Sequence, residues 1–422
     1  MTTATVPTLA SIAEQILDLA KGRVQQAEVY AFDTADTPVD FEANRLKALE
    51  TKESRGVALR VVKDGRVGLA STTRLDELAT LVDTAVELSP FGAEAKFELP
   101  ATITPTAVDI FSPHTERLGV EQMAELGQEM IDRVRAYDGD ILCEAGVRRH
   151  LQTTELRNSR GGTASYRKSS YTLIVGGQLI RGEDFLSVWE YESSCAPGLD
   201  HRTLADAAVR KFELSKNVEA VTTRRMPVIF SPRGVAFVLL RYLDVALSGR
   251  TVLQGSSALS EKLGQEVFDP RLTIVDDSTV SGVPGSAPFD DEGVPTRRLP
   301  MIERGVVRNF YYDLQTAGLA GAASTGNGYR SATSLPSPST GVVMIEPGDQ
   351  AFDTMLAGIE EGLLVESTTG NPGNVYSGDF SGNIQGGFQI KQGKLVGRVK
   401  NTMISGNVFT DMKKLGGISS DA

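Results

Sequence analysis

The chain has 422 residues, 41% of them hydrophobic and 23% charged, which is apolar material for roughly two to three domains. A formal net charge of −11, with basic residues in pairs such as Arg224-Arg225 and Arg297-Arg298 rather than in tracts, argues against nucleic acid and anionic membranes as partners. The only two cysteines, Cys143 and Cys195, lie far apart, so they exclude a disulfide framework and a thiolate zinc site and suit a reducing compartment.

The elements follow in chain order. Ile12, Ile16, Leu17 and Leu19 have helical spacing behind Ser11, which predicts a helix over residues 11–20 with Ser11 as N-cap. Short β-rich runs come next at residues 28–32, 39–42, 56–62 and 66–71, with Asp64-Gly65 as the turn of a tight hairpin. The apolar stripe Leu75, Leu78, Leu81, Val82 and Ala85 predicts a second helix that Ser89-Pro90 ends. Residues 91–112 are rich in Pro, Thr and Ala without a period and read as a linker. Val120, Met123, Leu126, Met130 and Val134 mark a third helix of about four turns. Strand-like runs return between residues 141 and 191, and a helix over 204–214 closes this half. The order helix, meander, helix thus occurs twice, which hints at an internal duplication.

From residue 227 onward the pattern is one strand, Val228-Ile-Phe, a helix over about 233–247, and many short β runs with abundant Gly, Ser and Asn. One more helix is expected over about 352–363. The expected fold is α+β: an antiparallel sheet with flanking helices in the N-terminal half and a mainly β C-terminal domain, divided at 1–112, 113–222 and 223–422. The N-terminus shows neither a basic nor an apolar targeting segment, and the longest apolar run, from Val235 to Leu240, is too short for a bilayer. A cytoplasmic protein is expected.

Phosphate loops, dinucleotide-binding glycine patterns and nucleophile elbows are all missing. His114, His150 and His201 are the only histidines, none paired at ligand spacing, and they read as surface or loop residues; the cysteines read as buried apolar fillers.

Several segments resemble the TldD/PmbA family in that family's order. They are Gly56-Val-Ala-Leu-Arg-Val-Val with Asp64-Gly-Arg-Val-Gly, Arg157-Asn-Ser-Arg-Gly-Gly, Pro288-Phe-Asp-Asp-Glu-Gly-Val-Pro, Ser324-Thr-Gly-Asn-Gly-Tyr-Arg, Asn374-Val-Tyr-Ser-Gly-Asp-Phe-Ser and Ile404-Ser-Gly-Asn-Val-Phe. The resemblance implies a cytosolic two-subunit zinc peptidase acting on unfolded or modified peptides. One subunit type, TldD-like, carries His-Glu-x-x-x-His on a helix, two zinc ligands and a base for the attacking water. Here Arg241, Tyr242 and Ala246 stand at those positions, and nothing after Cys195 is a cysteine. Arg lends no lone pair, Ala has no donor, and Tyr is a poor base near neutrality.

By resemblance this chain is therefore the TldE/PmbA-like subunit. It has no catalytic residue and no cofactor of its own, its TldD-like partner holds zinc, and it closes a peptide chamber that admits an extended substrate by strand addition. The rivals are a stand-alone metallopeptidase with atypical ligands and a non-enzymatic homodimer that binds peptides. Neither a membrane nor nucleic acid is expected as a partner.

Candidate residues for a peptide cleft or an interface are Asn327, Gly328, Arg330, Asp379 and Ser381. The glycines around Asn327 permit a sharp bend that either lines the cleft or merely turns the chain. Arg330 pairs with a peptide or partner carboxylate, or forms a structural salt bridge. Asp290-Asp291-Glu292 is expected to serve a turn or an interface, because on a strand at most two of the three side chains converge.

Overall fold

The computed structural model describes residues 7–196, 198–370 and 373–421. The N-terminal half is built on one seven-stranded antiparallel sheet. Its spine is the long strand Gln26–Glu42, flanked on one side by Lys52–Lys63 and Arg66–Thr72, on the other by Leu142–Asn158, Thr163–Arg181 and Asp184–Ser194, while Arg45–Leu49 folds back beside its end. The runs expected at 28–32 and 39–42 are one strand. Thr34 and Thr37 lie between them, and β-branched residues continue a strand where a periodicity reading sees a gap. The hairpin turn is as expected, with positive φ at Asp64 and Gly65 (49° and 73°).

Two apolar layers cover this sheet. Helices Leu9–Ala20 and Leu78–Leu88 pack Ile12, Ile16, Leu81 and Val82 on Val29, Leu59 and Val61. Helices Val120–Tyr137 and His201–Leu214 pack Met123, Met130, Val134 and Phe212 on Val147, Leu173 and Val175. The first helix starts earlier than expected. Thr8, not Ser11, is the N-cap, because its hydroxyl accepts from Ser11 N at 3.1 Å. After a 3-10 turn at Ser89–Phe91, residues 92–112 form no helix or strand, yet Leu99, Ile103 and Ile110 are buried.

The C-terminal half holds a four-stranded sheet in the order Val306–Val307, Arg298–Glu303, Ile274–Asp277, Val343–Ile345, and a six-stranded sheet centred on Asp379–Lys391. Between them runs the helix expected at 233–247. It has a first turn at Pro232–Gly234, a π-helical stretch at Val235–Leu240 and an α-helical end at Arg241–Leu247. Its Leu239, Tyr242, Leu243 and Leu247 join Ile274, Met301, Val365 and Phe380 in the largest core. Gly234 permits the approach to the strand Glu361–Thr369, since a Cβ there would stand 2.1 Å from the Val365 carbonyl oxygen. The helix expected at 352–363 stops at Ala357. Residues Glu361–Thr369 instead pair in parallel with Val228–Phe230, and burying Leu363 and Val365 there outweighs their helix compatibility. Among the described residues, no helix is long and apolar enough to cross a membrane.

Candidate functional site

The helix over residues 232–247 borders two clefts. On one side Phe237, Val238, Arg241 and Tyr242 face Thr368, Gly370, Phe380, Ser381 and Gly382 of the six-stranded sheet and its margin. On the other, Ala236, Leu240, Arg241, Leu243, Asp244 and Leu247 face Ile274, Met301, Thr340 and Val343 of the four-stranded sheet. Arg241 lines both.

The side chains of Arg241, Tyr242 and Ala246 do not fit zinc. Arg241 is exposed and lends no lone pair, and Ala246 is buried at 2% and carries no donor atom. Tyr242 is buried against Phe380, ring centroids 6.4 Å apart, and burial raises its hydroxyl pKa above the usual range, farther from a base or an anionic ligand at neutral pH. Among the described residues, no group of three or more His, Cys, Asp or Glu side chains is placed to hold a metal. His150 Nδ1 meets Asp36 at 2.6 Å and His201 Nε2 meets Glu129 at 2.9 Å, while His114 sits exposed on the short helix Pro113–Glu116, so the three histidines do not converge. Cys143 and Cys195 are free and buried, and burial pushes the Cys143 thiol up to about 12.

The five expected cleft residues separate into two groups. Ser381 lines the first cleft beside Arg241 and Tyr242. Asp379, two residues before it on the same strand, accepts from Ser377 Oγ at 2.6 Å and Asn407 Nδ2 at 2.8 Å, bonds that hold its carboxyl below the usual range. Asn327, Gly328 and Arg330 lie elsewhere: Asn327 inside the C-terminal half, Gly328 and Arg330 in a buried junction between the two halves.

Asn327 Nδ2 donates to Asp276 Oδ2 at 2.6 Å and to the Ser339 carbonyl at 2.9 Å, while the Asn327 carbonyl accepts from Ser339 N at 2.9 Å. It thus fixes the segment that leads into Val343–Ile345 and stands one step behind the second cleft. Gly328 N donates to Asp290 Oδ2 at 2.8 Å, and a Cβ there would meet the Glu292 carboxylate at 2.3 Å, so the site demands glycine. The Arg330 side chain is fully buried. Its Nη2 donates to Glu28 Oε1 at 2.7 Å and to the Asp291 carbonyl at 3.1 Å, and its guanidinium carbon lies 4.8 Å from the Tyr30 ring centroid.

The acidic triplet belongs to the same junction and is a turn, not a strand. Asp290 Oδ1 accepts from Glu292 N and Val294 N at 3.0 and 2.9 Å, and Gly293 has φ 81°. The turn frees all three carboxylates to point inward. Asp291 Oδ2 accepts from Arg330 N at 2.9 Å; Glu292 accepts from Arg60 Nη1 and Leu314 N, each at 2.6 Å. Arg60 also donates to Glu28 Oε2 at 2.8 Å. Burial raises Asp290 well above the carboxylate range with the Glu292 charge adding to it, and raises Asp291 to about 6 against the opposing pull of Arg330.

Sequence reasoning missed Glu28 and Arg60, whose strands read as plain apolar runs. It also missed Phe237, Thr368, Thr340 and Val343. Asp244, one turn beyond Arg241, had a readable signal in its helical spacing; its carboxylate accepts from Tyr311 Oη at 2.9 Å and Thr340 Oγ1 at 3.2 Å.

Known proteins share sequence and fold with this chain. The model described as the PmbA/TldA metallopeptidase C-terminal domain matches residues 223–422, and that described as PmbA/TldA metallopeptidase domain 1 matches 27–89. The metalloprotease TldD homolog of Haemophilus influenzae is 26% identical over 95% of this chain and 86% of its own length. The metalloprotease PmbA homolog of the same organism is 25% identical over 96% and 90%. The crystal structure of TldE from Thermococcus kodakarensis superposes with a TM-score of 0.88 at 22% identity, covering 97% of this chain and 94% of that one, a likeness of fold. The chain belongs to the PmbA/TldD metallopeptidase family.

Proposed function

We propose that this chain is the TldE/PmbA-like subunit of a cytoplasmic two-subunit zinc peptidase, supplying walls of the peptide chamber while a TldD-like partner supplies the metal and the chemistry. One observation carries this reading: the helix that by resemblance corresponds to the metal helix presents Arg241 to solvent and buries Tyr242 and Ala246, side chains that form no zinc donor set. Relatives named TldD and PmbA match about equally well, so overall identity does not choose the subunit type, and the residue types on this helix are what supports the TldE/PmbA-like reading.

A second feature supports a role in holding an extended peptide. Among the described residues, strand Val343–Ile345 is the border of its sheet, paired only with Ile274–Asp277. On its inner side the Val342 carbonyl accepts from Asp277 N at 2.8 Å and Glu346 N donates to the Thr273 carbonyl at 3.0 Å. Antiparallel alternation therefore turns the N–H and C=O groups of Val343 and Ile345 outward, beside the apolar cleft that Val343 lines. A peptide added there would extend the sheet and set alternate side chains into that cleft.

The test is co-expression with a TldD-like chain from the same genome, followed by affinity purification and metal analysis. The expected result is a stable complex that cleaves unfolded peptides, with zinc retained by the partner and lost when the partner's histidines are replaced. Failure to form a complex overturns the reading. So does stoichiometric zinc on this chain alone that disappears on replacing His114, His150 or His201.

A further inference from the structure

We infer that Arg241, with the hydroxyls of Ser381 and Thr368, forms a carboxylate-binding site in the first cleft, fitted to the C-terminal carboxylate of a peptide or to an acidic side chain. The inference deepens the reading of this helix as a chamber wall and rests on it for the choice of a peptide as ligand. Its own support is local.

Among the described residues, the Arg241 guanidinium has no hydrogen-bond or ion-pair partner, and neither do the hydroxyls of Ser381 and Thr368 that face the same cleft. The guanidinium carbon lies 5.8 Å from the ring centroid of Tyr242, which lines that cleft too, so the charge is held over it. The carboxylates nearest along the chain are already engaged. Asp244 accepts from Tyr311 and Thr340, and Asp379 accepts from Ser377 and Asn407. An arginine fork donates two parallel N–H bonds to the two oxygens of one carboxylate, which neither a lone hydroxyl nor a lysine matches.

Two further features fit a ligand rather than an idle surface arginine. The residues leading into Arg241 form a π-helical stretch, Val235–Leu240, a geometry that is rare and gathers at functional sites. The wall beside the charge is apolar and aromatic, with Phe237 55% exposed and Phe380 behind it, so a peptide's last side chain would have a surface to cover while its carboxylate meets the fork. The site thus takes one negative charge with an apolar neighbour. A fixed cation stands where a catalytic subunit would hold its metal.

The experiment measures fluorescence anisotropy of a dye-labelled unfolded pentapeptide ending in leucine, on the purified full chain. Three forms are compared: the free acid, the C-terminal amide, and an amide with an internal aspartate. The free acid should bind at least about fivefold more tightly than the plain amide, the advantage should shrink with added salt, and Arg241→Gln should abolish it with an unchanged melting temperature. If the aspartate-bearing amide recovers the affinity, the ligand is an acidic side chain rather than a terminus. Equal binding of acid and plain amide, an advantage that survives Arg241→Gln, or no binding of any form overturns the site. Complex formation with a TldD-like chain is read by co-purification of the same variant, so loss of the carboxylate site and loss of the subunit role give different results.

Discussion

Arg60 shows what a single buried charge does in this protein. Its side chain is 3% exposed and bridges Glu28 and Glu292, both fully buried, so the three groups depend on one another for the solvation that burial removed. Arg60→Ala should cost about 3–5 kcal/mol in urea denaturation, because it strands a carboxylate in the interior. By contrast the exposed pair Arg74 and Glu77 should contribute less than about 1 kcal/mol to the same measurement. Asp291 adds a pH dependence. With its carboxyl raised to about 6 by burial, the folded state binds a proton more tightly than the unfolded chain, so this group's contribution to stability falls as pH rises from about 4 to about 6. The melting temperature of Asp291→Asn relative to the native protein should therefore be more favourable at pH 7.5 than at pH 4.5; the reverse order would mean that Arg330 more than compensates the charge.

The elements show which signals a sequence carries. Amphipathic helices such as Val120–Tyr137 and the Asp64-Gly65 hairpin were legible, because spacing and turn chemistry are local properties. The π-helical character of Val235–Leu240 was not, since it arises from fitting that segment between two sheets. Helical spacing put Arg241, Tyr242 and Ala246 on one helix and Ser381 lines a cleft beside it, whereas Asn327 braces the C-terminal half and Gly328 and Arg330 organise a buried junction. Nothing local in a Gly-Asn-Gly segment says which side of a fold it will face. The same helix supplies a test of packing: Gly234→Ala would press a methyl group toward the Val365 carbonyl and should destabilise by about 1–3 kcal/mol in thermal or urea unfolding.

Across the whole molecule the two halves are tied by charges from both sides. Arg60 reaches Glu292, Arg330 reaches Glu28, Lys211 joins Glu190 to Glu366 at 2.5 and 2.8 Å, and Arg398 pairs with Asp184. Tyr30, Ala58, Leu156, Ile103 and Phe289 close an apolar cluster across the same boundary. Neither half satisfies its buried ions alone, so calorimetry of the full chain should show one cooperative unfolding transition; two resolved transitions would mean that the ties are weaker than their burial implies.

The connecting segment after Phe91 bears on how the protein meets a protease. Gln315 Oε1 accepts from Lys96 N at 3.0 Å and Gln315 Nε2 donates to the Glu94 carbonyl at 2.9 Å; Leu99 N is held by Gln26 and Thr106 N by Pro288. Helix Leu314–Ala320 presses so closely on it that a Cβ at Gly318 would stand 1.6 Å from the Lys96 carbonyl oxygen. Irregular backbone is ordinarily the first to be nicked, but nicking needs several residues to peel free. Limited trypsin digestion should spare Lys96 and cut first at Arg224 or Arg225, where the chain passes exposed between its two halves.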